Sequence, residues 1–81
     1  MRLLIIRNPE SQLLSHMDLD AKNLKIILVQ NAVYSEALRG KNALSLENDL
    51  KAAKIDLPDD KKINYDKMLD SIFEAENVLC I

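Results

Sequence analysis

The chain has 81 residues, enough for one domain, residues 1–81, and too few for two. Its formal net charge of -2, with no basic block beyond Lys61-Lys62, argues against a nucleic-acid-binding domain, whose affinity depends on neutralising phosphates. The single cysteine excludes an internal disulfide and is typical of a reducing cytosol. The first apolar run, residues 3–6, is too short for a signal peptide or a membrane span, so we expect a cytoplasmic protein.

The first half of the chain predicts two strands, each followed by a helix. Residues 3–6 form an apolar run typical of a buried parallel strand, and Asn8-Pro9-Glu10 then gives the start signals of a helix that extends to Met17. The second predicted strand is 25–29. The side chain of Asn31 is then expected to cap a helix over 32–39, which ends at Gly40, the only glycine.

The second half continues the alternation. Residues 42–46 predict a third strand, and 47–54 a third helix. A loop at 56–60 leads to a short fourth strand at 62–64. Residues 65–75 show apolar positions at helical spacing, and the run 78–81 predicts a buried last strand. Alternating strands and helices predict an α/β fold with three layers, α/β/α, around a parallel sheet.

The sequence contains no motif for a nucleotide cofactor or a structural metal. It lacks the glycine-rich loops that bind phosphates, and it has one cysteine, one histidine and no C-x-x-C pair. The junction after the second strand lies where α/β proteins place ligand sites, and it is polar but has no glycine. We therefore predict a contact surface there, with no cofactor and no metal.

Two side chains are candidates for catalysis. Cys80 lies in the last apolar strand, and we expect it to be a small buried hydrophobic residue, since a nucleophilic cysteine needs exposure and a lowered pKa. His16 is expected to be exposed at the end of the first helix, where its positive form suits the helix dipole. The spacing of Asp66 and Asp70 predicts a solvated helix face. Tyr34 is either an interface anchor or a partly buried packing residue.

Three segments carry a family resemblance. Residues 26–38, IILVQNAVYSEAL, resemble an apolar strand followed by Gln/Glu-Asp-Gly-Val-Tyr-x-Ala-Leu. Residues 43–55, ALSLENDLKAAKI, resemble Tyr-Ala-Leu-x-x-Asp-Leu-x-Ala-Arg-Gly-Ile, and residues 63–69 with 77–79 resemble a closing Tyr-Asp, apolar helix and last strand. These patterns are those of the DsrH/TusB branch of the DsrE/DsrF/DsrH-like family, which the chain resembles over about two-thirds of its length.

This resemblance implies a mostly parallel five-stranded sheet and a role in a cytoplasmic sulfur relay. TusB-like proteins assemble with TusC- and TusD-like relatives, and the complex passes persulfide sulfur toward 2-thiouridine at the tRNA wobble position. DsrH-like proteins serve sulfur oxidation. In DsrE/TusD-like relatives a cysteine at the start of the third helix carries the sulfur. Leu46 or Glu47 stands there in this chain, and His16 stands near a helix-one cysteine of some DsrH-like members.

We therefore expect a non-catalytic subunit, with Asn31, Tyr34, Leu46 and Glu47 at its interface. Its partners would be TusC/TusD- or DsrE/DsrF-like subunits, or further copies of itself, and it would meet tRNA only indirectly. Two alternatives stay open. One is a self-sufficient homo-oligomeric persulfide carrier that uses Cys80 or His16. The other is a small homodimeric α/β binding module unrelated to sulfur.

Overall fold

Five parallel strands form a single sheet in the computed structural model, which describes all 81 residues. The sheet has the order β4-β3-β2-β1-β5. The strands are β1 (Arg2–Ile6), β2 (Leu24–Leu28), β3 (Ala43–Leu46), β4 (Lys62–Ile63) and β5 (Asn77–Cys80). The predicted α/β fold with a five-stranded parallel sheet is confirmed.

The strands are connected by three α-helices and three 3-10 turns. The α-helices are α1 (Glu36–Arg39), α2 (Glu47–Ala53) and α3 (Tyr65–Glu74). The 3-10 turns are Gln12–His16, Gln30–Tyr34 and Asp59–Lys61. The α2, β4 and α3 elements agree with the predicted ranges to within one residue.

The path of the chain explains why the two faces of the sheet are covered unequally. The connections from β1 to β2, β3 and β4 all step in one direction across the sheet, so right-handed crossovers place α1, α2 and two of the 3-10 turns on one face. The connection from β4 to β5 returns across the sheet, and it places α3 alone on the other face. The result is a three-layer domain with one thick and one thin outer layer.

The core lies on both faces of the two central strands. Leu4 and Ile6 of β1 face α1 and α2, whereas Leu3 and Ile5 face α3 and its buried Met68. Because both faces are covered, residues 3–6 of β1 and 26–28 of β2 are apolar and buried, and the two predicted buried strands are confirmed.

Helix α3 is held to the thin face by a polar contact as well as by apolar packing. The buried Ser71 hydroxyl donates to the Lys67 carbonyl at 3.1 Å and accepts from Lys25 Nζ on β2 at 2.7 Å. At the start of α3, the Asn64 side chain accepts from the Lys67 N–H at 2.8 Å. The buried Ser71 hydroxyl therefore both donates and accepts a hydrogen bond beneath the helix.

The first predicted helix, residues 9–17, is wrong for most of its length. The Asn8 side chain accepts from the Glu10 N–H at 3.0 Å, which forms a local turn in place of a helix cap. Only Gln12–His16 is helical, as a 3-10 turn, and none of its residues is buried. A segment that buries so little apolar surface gains too little to propagate an α-helix.

The predicted capping of a second helix by Asn31 is also wrong. Val29 precedes the 3-10 turn without a side-chain cap, and Asn31 is exposed inside the turn. Ser35 then interrupts the helix in an extended conformation, and its Oγ accepts from the Leu38 N–H at 3.3 Å to start α1. Gly40 follows the last residue of α1 as predicted, with an ordinary helical φ of -73°.

The last strand is present but is not buried as predicted. All four residues of β5 are exposed. The strand pairs with β1 on one side only, and α3 lies over the central strands. An apolar run therefore identified the strand but not its position at the edge of the sheet.

The central position of Ile27 makes a direct test of this core. Ile27 on β2 is fully buried against α3, so we expect Ile27→Ala to lower the free energy of unfolding by about 2–5 kcal/mol through lost burial and the cavity left behind. Leu13→Ala is the control, since Leu13 is 54% exposed and should cost less than about 0.5 kcal/mol. Urea denaturation measures both, and equal losses would contradict the layer arrangement.

Candidate functional site

The carboxyl ends of all five strands meet at one edge of the sheet, where the surface is concave. A depression of about 360 Å³ lies there on the α3 side, and we call it the carboxyl-edge depression. Its lining residues are Ile5, Arg7, Val29, Gln30, Leu46, Asn48, Asp49, Tyr65, Met68 and Cys80. Open α/β sheets place their ligands at this edge, so it is the first candidate for a functional site.

Arg7 supplies the cation of the depression. It follows β1 directly, and its carbonyl accepts from the Ala32 N–H at 3.1 Å, which fixes the backbone from which the side chain extends. The side chain is exposed and forms no salt bridge. Its guanidinium is therefore free to bind an anion or a carboxylate of another molecule.

Gln30 is held in an unusual backbone conformation at the end of β2. Its φ of 51° lies in the left-handed region, which costs a residue with a Cβ about 1–2 kcal/mol. The Gln30 N–H donates to Asp49 Oδ2 at 2.7 Å. This hydrogen bond ties the end of β2 to the first turn of α2, so it fixes the relative position of two walls of the depression.

The remaining walls come from the starts of α2 and α3. Leu46 precedes α2 and is only 6% exposed, so it forms part of the apolar floor. Asn48 on α2 and Tyr65 at the start of α3 are both exposed at the rim. The depression thus has an apolar floor with polar and aromatic groups around it, the usual composition of a binding site.

Cys80 is exposed and lines this depression, so the prediction that it is buried is wrong. Its residue pairs with Ile5 of β1, and β5 has no neighbour on its other side. The thiol therefore lies within the same concave surface as Arg7 and Tyr65. The apolar neighbours of Cys80 in the sequence suggested a core position because they could not reveal that β5 is an edge strand.

His16 lies at the opposite edge of the sheet. It is exposed at the end of its 3-10 turn, as predicted, and shares a second depression of about 310 Å³ with Arg2, Asp18 and Leu24. Arg2 and Leu24 are the first residues of their strands. Because Cys80 lies near the carboxyl ends of the strands, the two candidate residues do not form one catalytic pair.

The four predicted interface residues occupy different environments. Asn31 is exposed and Tyr34 is 59% exposed, and neither lines the carboxyl-edge depression. Leu46 is in its floor, while the half-buried Glu47 lines a separate depression beside Lys51 and Lys62. Their role in an interface stays a prediction.

The sequence reasoning missed Arg7, Asp49 and Tyr65 as neighbours in the site. A signal for two of them was available, since Arg7 follows a predicted strand and Tyr65 begins the helix after another. No such signal was available for Asp49. Its hydrogen bond to Gln30 depends on the left-handed backbone conformation of Gln30, which the sequence does not predict. Asp66 and Asp70 are both exposed, which confirms the predicted solvated face.

No group of three or more histidine, cysteine, aspartate or glutamate side chains is arranged to hold a metal ion. The helices are all too short or too polar for a membrane span. Comparison with known proteins finds no matching family model and no match among curated sequences.

The contact between Asp49 and Gln30 gives a testable consequence. Asp49→Ala should lower the free energy of unfolding by about 1–2 kcal/mol, because it removes a charge-assisted acceptor from a strained backbone N–H. Asp70→Ala is the matched control, since Asp70 is an exposed aspartate on α3 with no hydrogen bond or salt bridge; its expected cost is below about 0.5 kcal/mol. Chemical denaturation compares them, and an equal effect would mean that Asp49 does not hold Gln30.

Proposed function

We propose that the chain is a non-catalytic subunit of a cytoplasmic sulfur-relay complex of the DsrE/DsrF/DsrH or Tus type. The observation that carries the proposal is the start of α2. Leu46, which corresponds to the region of the sulfur-carrying cysteine in catalytic relatives by resemblance, is apolar and buried in the floor of the depression. A subunit built this way can shape a surface next to a partner's cysteine but cannot carry sulfur at that position.

The parallel sheet and its carboxyl edge are consistent with that role. Arg7, Asn48 and Tyr65 surround an open depression, and Asn31 and Tyr34, which follow the lining residue Gln30 in the chain, are exposed. Such a surface suits docking of a TusC/TusD- or DsrE/DsrF-like subunit. The tRNA or another sulfur acceptor would then bind the assembled complex and not this chain alone.

The proposed partnership is tested by affinity capture from the native lysate. The tagged chain should recover TusC/TusD- or DsrE/DsrF-like proteins in equal amounts, as identified by mass spectrometry. Recovery of the chain alone would contradict the relay-subunit proposal.

The exposure of Cys80 favours a second candidate function, a persulfide carrier. In that reaction the Cys80 thiolate attacks the outer sulfur of a donor persulfide. The donor's S–S bond breaks, the donor leaves as a thiolate, and Cys80 holds the new persulfide, so no external oxidant or reductant is consumed. Arg7 in the same depression is placed to attract the anionic donor.

The variant Cys80→Ser separates the two functions. Under the relay-subunit proposal, the assembled complex containing Cys80→Ser should transfer sulfur at the wild-type rate, because the sulfur is carried on a partner's cysteine. Under the persulfide-carrier function, the variant should lose transfer and should not gain the mass of one sulfur atom after incubation with a persulfide donor. Asn77→Ala, which alters an exposed residue of the same strand, is the control for damage to β5.

Alkylation of Cys80 does not distinguish the two candidates. Because the thiol is exposed, we expect it to be labelled in the folded protein in either case. Measurements of sulfur loading on Cys80 and of sulfur transfer are therefore needed to distinguish the relay subunit from the persulfide carrier. A chain that neither binds relay subunits nor accepts sulfur would instead be the binding module unrelated to sulfur.

A further inference from the structure

The outer side of β5 is an unprotected strand edge. Asn77–Cys80 pairs with β1 alone and contains no charged residue and no proline. Edge strands normally carry such residues because they prevent pairing with another chain. The free backbone N–H and C=O groups of β5 therefore form a surface that another strand can recognise.

An apolar stripe on α3 lies on the side of the helix that is nearer to β5. Tyr65, Leu69 and Phe73 follow one another at four-residue spacing, so they share one side of the helix. Tyr65 lines the carboxyl-edge depression together with Cys80, which places that side of the helix toward β5. Phe73 is the only phenylalanine in the chain and is 85% exposed.

The exposed apolar surface is concentrated at this place. Of the seven large hydrophobic side chains that are exposed, five belong to α3 or β5: Tyr65, Leu69, Phe73, Val78 and Leu79. We call these five side chains and the free edge of β5 the β5 surface. It is continued on each face by a depression, one of about 360 Å³ toward α3 and one of about 410 Å³ beside Leu4, Met17 and Leu24.

We propose that a second copy of this chain binds the β5 surface, with the two β5 strands antiparallel and the two sheets joined into one of ten strands. A two-fold axis normal to the sheet produces this arrangement and closes it at two copies. With Leu79 opposite the partner's Leu79, Val78 faces the partner's Cys80, and every directly opposed pair within the strand is uncharged. The two α3 stripes then lie on the same face of the joined sheet, on either side of the axis.

Charge complementarity favours a second copy over an unrelated strand. Glu76 precedes β5, and by strand alternation it lies on the same face as Val78, the α3 face. Arg7 lies at the other end of β1, on that face as well, where it lines the depression beside Cys80. Antiparallel pairing brings the start of one β5 to the end of the other, so Glu76 approaches the partner's Arg7, and the contact occurs twice.

A stable dimer needs more buried area than the β5 strand alone supplies. A standard interface buries about 800 Å² per partner, which is about 15% of this chain's 5407 Å². The strand supplies roughly 13 Å of backbone, at about 3.3 Å per residue, and needs the α3 stripe to approach that area. Phe73 is therefore the side chain on which the dimer depends most. The proposal does not require any sulfur chemistry.

Sedimentation velocity over a hundredfold range of concentration tests the dimer. The wild-type chain should pass from monomer to dimer, and Phe73→Glu should weaken the dimer by at least about tenfold, because it places like charges beside the axis. Leu13→Glu is the matched control, since Leu13 is also exposed but lies in the 3-10 turn Gln12–His16, away from β5. It should leave the dissociation constant unchanged, and circular dichroism verifies that each variant is folded.

Charge reversal tests the antiparallel register. Arg7→Glu and Glu76→Arg should each weaken the dimer, and the double variant should restore it. Restoration is the decisive readout, because Glu76 also pairs with the amino terminus of Met1 at 3.1 Å in its own chain. A monomeric wild-type chain over the whole range, a Phe73→Glu variant that dimerises normally, a Leu13→Glu variant that is equally impaired, or a double variant that stays impaired would each overturn the proposal.

Discussion

The structure depends on how few residues cover one face of the sheet. The five-stranded sheet has two faces, and only the ten-residue helix α3 covers the second of them. Helix α3 covers the central strands, where apolar burial per residue is greatest, and is held there by Met68 and by the contact between Ser71 and Lys25. The edge strand β5 is left uncovered as a consequence. The exposed thiol and the open carboxyl-edge depression both result from that single allocation of residues.

The carboxyl edge shows how a small domain fixes the geometry of a surface without glycine. At the end of β2 the chain turns through a left-handed Gln30, and the nearby Asp49 carboxylate accepts the N–H that this conformation directs outward. Strain of this kind persists only where the surrounding structure holds it. The first turn of α2 supplies that support, and it also brings Leu46 and Asn48 to the same depression.

The secondary structure could be predicted from the sequence where the apolar periodicity matches the burial pattern of the element. The continuous apolar runs of β1 and β2 predicted buried parallel strands, and the apolar spacing of α3 predicted its helix to within one residue. Prediction from the sequence failed where a local hydrogen bond or the order of the strands in the sheet determines the structure. Asn8 uses its side chain in a turn that competes with helix formation, and Ser35 caps a new helix where a continuous one was predicted. No local pattern distinguishes an edge strand from a central one. Cys80 and Arg7 were missed as neighbours for that second reason, because only the strand order β1-β5 brings them together.

The pairing of β5 with β1 also determines when the sheet can be completed. The amino terminus of Met1 and the carboxylate of Glu76, 75 positions apart in the chain, meet at the start of this strand pair. Contacts between residues so far apart in the chain form late and slow the folding of a small domain. The entropy of closing the loop is lost before the free energy of the contacts is gained. Until β5 has emerged during synthesis, one edge of β1, an apolar central strand, has no partner. The nascent chain is thus open to mispairing at this edge of β1 until β5 is made.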